Sequence, residues 1–185
     1  MKAYTQHPIH RALVALCGAF VLTASAHAAG DKAAWDQAKH SAKATYDASR
    51  KHCDTLAGNA KDICQAEAKL ARKKTEATAE ADYKGTSKAR YEARSDIASA
   101  EYDLAKEKCD GKAGNDKDVC VTEAKATRDK AIADAKADRD VKEARTDAAE
   151  DKRKADYKVA NEKCDALSGD AKKACTDQAK AQIRP

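Results

Sequence analysis

Three copies of one cysteine motif constrain this chain more than any other feature. They read KHCDTLAGNAKDICQAEAK (51–69), EKCDGKAGNDKDVCVTEAK (107–125) and EKCDALSGDAKKACTDQAK (162–180). Ten residues separate the cysteines of each pair: Cys53 and Cys64, Cys109 and Cys120, Cys164 and Cys175. Along one continuous helix that spacing would hold the two Cα atoms ~16 Å apart. A disulfide needs them within ~7 Å. A bridge inside each motif therefore requires the chain to reverse between its cysteines. The residues between them suit a reversal. Gly58, Gly114 and Gly169 fit the left-handed position that ends a helix. Asn59, Asn115 and Asp170 follow at once as candidate caps for the next helix. Each motif thus predicts an αα-hairpin tip, near 53–64, 109–120 and 164–175, closed by a disulfide.

Two further repeated features bear on the tips. Asp54, Asp110 and Asp165 follow the first cysteines, and Lys61, Lys117 and Lys172 lie three residues after the glycines, placed to pair across the turn. Tyr46, Tyr102 and Tyr157 lie seven residues before the first cysteines, two helical turns back, on the side that faces the partner helix.

The segments between the motifs, 66–108 and 122–163, are rich in Ala, Lys, Glu, Arg and Asp. These are strong helix formers, and only Gly85-Thr86-Ser87 interrupts them, which predicts a kink or break there. Large apolar residues are too sparse for a thick globular core. The fold class that follows is all-α: an elongated antiparallel helical bundle or coiled coil of about four helices, near 31–56, 60–110, 116–166 and 171–183. In that arrangement the tips at 58 and 169 share one end and the tip at 114 takes the other. Trp35 is expected to cap the bundle by packing.

The N-terminus reads as an export signal. Lys2 and Arg11 precede or open an apolar run from Ala12 to Ala24, and Ala26-His27-Ala28 is an A-x-A cleavage site. The run is too short for a membrane span, which needs ~20 apolar residues. Residues 1–28 are therefore expected to be a cleaved signal and 29–185 the helical repeat region, with no transmembrane segment after cleavage. Cys17 lies inside the apolar run behind Leu16, which disfavours a lipoprotein. Removing Lys2 and Arg11 lowers the formal charge from +5 to +3. The six remaining cysteines all belong to the three pairs, the pattern of a disulfide framework in an exported chain. The bacterial look of the signal points to the periplasm.

No catalytic constellation is present: no C-x-x-C, phosphate-binding glycine loop, G-x-S-x-G or H-E-x-x-H. No metal-ligand spacing occurs among the cysteines, and His52 beside Cys53 reads as a solvated histidine next to a bridged cysteine. No cofactor is implied. Acidic residues nearly balance basic ones, 31 against 36, which argues against nucleic-acid binding.

The long segments, carried by stretches such as EAKATRDKAIADAKADRD (123–140), resemble the Ala/Lys-rich helical region of TolA-type cell-envelope proteins. The C-x10-C repeats resemble small exported proteobacterial proteins without an assigned activity. These resemblances imply a place in the cell envelope and no functional residues. TolA-type proteins carry an uncleaved anchor and a globular C-terminal domain, neither of which is read here. The expected function is a non-enzymatic structural or interaction protein of the bacterial envelope, whose Ala-rich faces permit self-association or an envelope protein partner. The alternative is a periplasmic metal- or redox-responsive binder that uses the paired cysteines.

Overall fold

The computed structural model describes residues 30–182. The predicted signal segment and Cys17 lie outside them. The described residues form five helices and no strand: α1 (Lys32–Cys53), α2 (Gly58–Lys84), α3 (Ser87–Cys109), α4 (Gly114–Cys164) and α5 (Gly169–Gln182).

The fifth helix arises at Gly85. The sequence left a kink or a break open, and the structure makes a complete reversal. Gly85 adopts φ +64°, a left-handed conformation in which its N–H bonds to the Ala81 carbonyl and closes α2. Thr86 then opens α3, its hydroxyl accepting from the Ala89 N–H at 3.0 Å. Stop and restart take two residues, so α3 folds back onto α2. Ala77 and Ala81 of α2 meet Ala93 of α3, with Ile97 packed against them.

This extra reversal corrects the expected layout. Each helix packs only on its neighbours in sequence: α1 on α2, α2 on α3, α3 on α4, and α4 on α5. No other pair of described helices brings Cα atoms within 8 Å. The expected four-helix bundle is thus replaced by a meander of antiparallel hairpins. Four reversals, not three, also change which tips meet. The tips after α1 and α3 share an end, where a side chain at Gly111 would lie 3.3 Å from the Asn59 amide. The tip after α4 lies at the other end of a 51-residue helix, ~76 Å away.

The core is as thin as the composition requires. Among the described residues, the buried positions are alanines and the first cysteine of each pair, Cys53, Cys109 and Cys164. An alanine methyl withdraws little apolar surface, at ~0.8 kcal/mol per carbon. Small side chains still let helices approach closely, and the covalent staples hold what shallow packing does not.

Exposed charge stabilises the long helices from outside. Ion pairs one turn apart include Lys43–Asp47, Lys84–Glu80, Lys136–Asp140 and Lys154–Glu150. Between helices, Lys74 pairs with Glu101 at 2.7 Å and Lys108 with Glu67 at 3.3 Å.

Candidate functional site

The three stapled tips are nearly superimposable in their chemistry. Cα–Cα separations across the disulfides are 5.5, 5.8 and 5.7 Å for Cys53–Cys64, Cys109–Cys120 and Cys164–Cys175. After each first cysteine the helix ends, and the N–H three residues on returns to its carbonyl: Leu56 to Cys53, Lys112 to Cys109, Leu167 to Cys164. The lysine and aspartate of each tip pair across the turn, Lys61–Asp54 at 3.0 Å, Lys117–Asp110 at 2.8 Å and Lys172–Asp165 at 2.9 Å. The hydrogen bond from Lys117 holds the Asp110 carboxyl below its ordinary range, and the same bond raises the Lys117 ammonium. Both groups are solvated, so the pairing orients the turn more than it stabilises it.

The glycines differ from expectation in place, though not in conformation. Gly58, Gly114 and Gly169 have φ of +55°, +53° and +58°. They are not the residues that end the preceding helix. Asp54, Asp110 and Asp165 occupy the C-caps, and the glycines begin the next helix. Asn59 and Asn115 do not cap: the N-cap residues are Ala57 and Ala113, with no side-chain hydrogen bond.

The repeated tyrosines lie at helix–helix seams. Arg72 of α2 sits over the Tyr46 ring at 5.4 Å, and Arg128 of α4 over the Tyr102 ring at 4.6 Å. Tyr157 is half-buried. The position matching Arg72 and Arg128 in its repeat is Ile183, outside the described residues. Trp35 packs at the open end of the α1–α2 hairpin, in the first turn of α1 against the last turn of α2. It stacks on Tyr83, ring centroids 4.9 Å apart, with Lys39 3.4 Å above it.

Shifting by 56 residues superposes the α1–α2 hairpin on α3 and the first half of α4. Trp35 then corresponds to Tyr91 and Tyr83 to Arg139, whose guanidinium lies 4.7 Å above the Tyr91 ring. Sequence reasoning did not bring together Arg90, Arg94, Arg139 and Lys142, which the structure gathers around one groove. Comparing the two repeats position by position was the signal that could have found them.

The third repeat departs from this pattern. α5 has 14 residues against 27 in α2, and it covers only the end of α4. Residues 141–156 of α4 are therefore all exposed, over four turns or ~24 Å of helix; past Lys142 and Glu143, which meet α3, they have no partner among the described residues.

Among the described residues, no cluster of His, Cys, Asp or Glu is arranged to hold a metal ion, and no helix is long and apolar enough to cross a membrane. The class defined by this geometry is an extended all-helical meander with disulfide-stapled tips. Comparison with protein-family models, curated proteins and solved structures finds no match for the chain.

Proposed function

We propose that this protein is an exported, non-enzymatic structural or interaction element of the bacterial cell envelope. The observation that carries the reading is α4. One uninterrupted 51-residue helix joins a pair of adjacent stapled tips to a third stapled tip, with a bare middle section between them. That construction sets a distance and presents surface. Three disulfides support an oxidising compartment. With Cys53, Cys109 and Cys164 fully buried in their bridges, the cysteines serve as staples rather than ligands. The self-association or envelope partner suggested by the Ala-rich faces belongs to the same proposal.

The test is fractionation of cells that express the full chain, with thiol counting before and after reduction and crosslinking in intact cells. The expected result is periplasmic protein with no free thiols until reduced, crosslinked to itself or to envelope proteins. Native protein with six reactive thiols would refute the stapled reading.

A further inference from the structure

Two grooves of one design occur in this molecule, and their charges are opposite. The first, of about 200 Å³, lies between α1 and α2. The second, of about 330 Å³, lies between α3 and α4. Every residue lining the first has its counterpart 56 positions later in the second. Framework positions are kept: Ala79 matches Ala135, Asp82 matches Asp138, and Trp35 matches Tyr91. The rest are exchanged. Ala34 and Ala38 become Arg90 and Arg94, Tyr83 becomes Arg139, and Asp31 becomes Ser87. Lys142 adds a fourth cation where the first repeat has Thr86. The first lining carries two aspartates and no cation; the second carries four cations and one aspartate.

The fold does not require these cations, because the same hairpin geometry forms without them one repeat earlier. Nor does the neighbourhood consume them all. Arg94 pairs with Asp138, and Arg139 with Asp140 at 2.6 Å and with Glu143 at 3.9 Å. Ser87 Oγ donates to Glu143 at 3.0 Å on the rim. Arg90 donates only to the Gly85 carbonyl, at 3.2 Å, and neither Arg90 nor Lys142 has a carboxylate within 4.0 Å among the described residues. The first turn of α3 opens beside the groove, and its positive dipole end adds to their field. Guanidinium groups flanking a lysine are the donor set that phosphate oxygens take.

We propose that the groove formed by Ser87, Arg90, Tyr91, Arg94, Arg139 and Lys142 is a binding site for a phosphate group. The group is carried either by a soluble phosphate ester or by an anionic lipid headgroup. Arg90 and Lys142 supply the uncommitted charge, and Arg94 and Arg139 are oriented by their carboxylate partners and by the Tyr91 ring.

The test titrates the full chain with pyrophosphate and follows backbone amide shifts. The decisive variant restores the first repeat's residues: Arg90→Ala, Arg94→Ala, Arg139→Tyr and Lys142→Thr. The control removes four exposed lysines elsewhere: Lys51→Ala, Lys69→Ala, Lys112→Ala and Lys125→Ala. The expected result is shifts confined to residues 87–94 and 138–142, with affinity falling at least about tenfold in the groove variant and less in the control. Equal losses in the two variants, or shifts spread along α4, would overturn the proposal by reducing it to general electrostatics. Circular dichroism melting of both variants separates lost binding from lost fold. A second arm uses vesicles of phosphatidylglycerol against phosphatidylcholine. Groove-dependent capture by the anionic vesicles assigns the phosphate to a lipid headgroup; pyrophosphate binding without vesicle capture assigns it to a soluble ester.

Discussion

The third staple is where a local cut should have a local answer. Replacing Cys164 and Cys175 together by serine removes a cross-link that closes a short loop at the α4–α5 tip. On the chain-entropy model such a loop contributes roughly 3 kcal/mol. Little else holds α5. It packs on α4 alone, and Ala179 is its one buried residue among those described. That methyl contributes ~0.8 kcal/mol by burial. The Lys172–Asp165 tie is exposed and adds ~0–1 kcal/mol. A helix of 14 residues is marginal in isolation, where ~12–15 residues are needed. The staple thus outweighs the other terms combined, and α5 should detach and fray without it. Far-UV circular dichroism should lose about a tenth of its helical signal. Hydrogen exchange should rise in peptides covering 165–182 and stay unchanged over 32–140. The matched cut, Cys53→Ser with Cys64→Ser, should lower the melting temperature without unfolding α1, because the Trp35–Tyr83 stack and the Tyr46–Arg72 contact remain. Unchanged protection across α5 after the first substitution would refute the reasoning.

Three other perturbations probe separate features. Gly85→Ala forces an alanine into φ +64°, which should cost ~1–2 kcal/mol and appear as a lower melting temperature; an unchanged melt would show that the reversal tolerates a side chain. Ala149→Pro should break bare α4 at a cost of ~3 kcal/mol and shorten the maximum dimension in small-angle scattering, with exchange over 32–109 unaffected. Lysine hydrogen bonds hold Asp47, Asp110 and Asp177 below the ordinary carboxylate range. A depressed carboxyl stabilises the fold above its unfolded pKa and loses that contribution as pH falls through its folded one. Melting temperature should therefore be level near neutrality and drop below about pH 4, whereas a flat acid limb would show that the exposed pairs contribute nothing.

What could be read in the sequence was what the chain repeats. Cysteine spacing, the glycine within each pair and the Asp–Lys tie locate three reversals with their partners. The fourth reversal has no staple and a single glycine, and one glycine in an Ala-rich helix fits a kink as well as a turn. The choice was made by packing, Ala77 and Ala81 against Ala93, and alanines occur on too many faces to announce which will pair. That one unread turn changed which tips are neighbours. The asparagine caps failed because each helix begins one residue earlier, at the glycine, which places Asn59 and Asn115 inside the first turn. The basic groove was hidden because its cations come from two helices far apart in sequence, Arg90 and Arg94 on one and Arg139 and Lys142 on the other.

The bare stretch of α4 also fixes an angle. Arg128, which meets Tyr102 of α3, and Cys164, which bonds to α5, are thirty-six residues apart, ten whole turns of an α-helix. α3 and α5 therefore lie along the same side of a shared axle. One residue inserted among 141–156 would carry α5 only ~1.5 Å further out but swing it ~100° around that axle. Tolerated insertions should come in steps that restore the phase, close to whole numbers of turns. The middle of α4, exposed from residue 141 to residue 156, thereby sets the direction in which the far tip points.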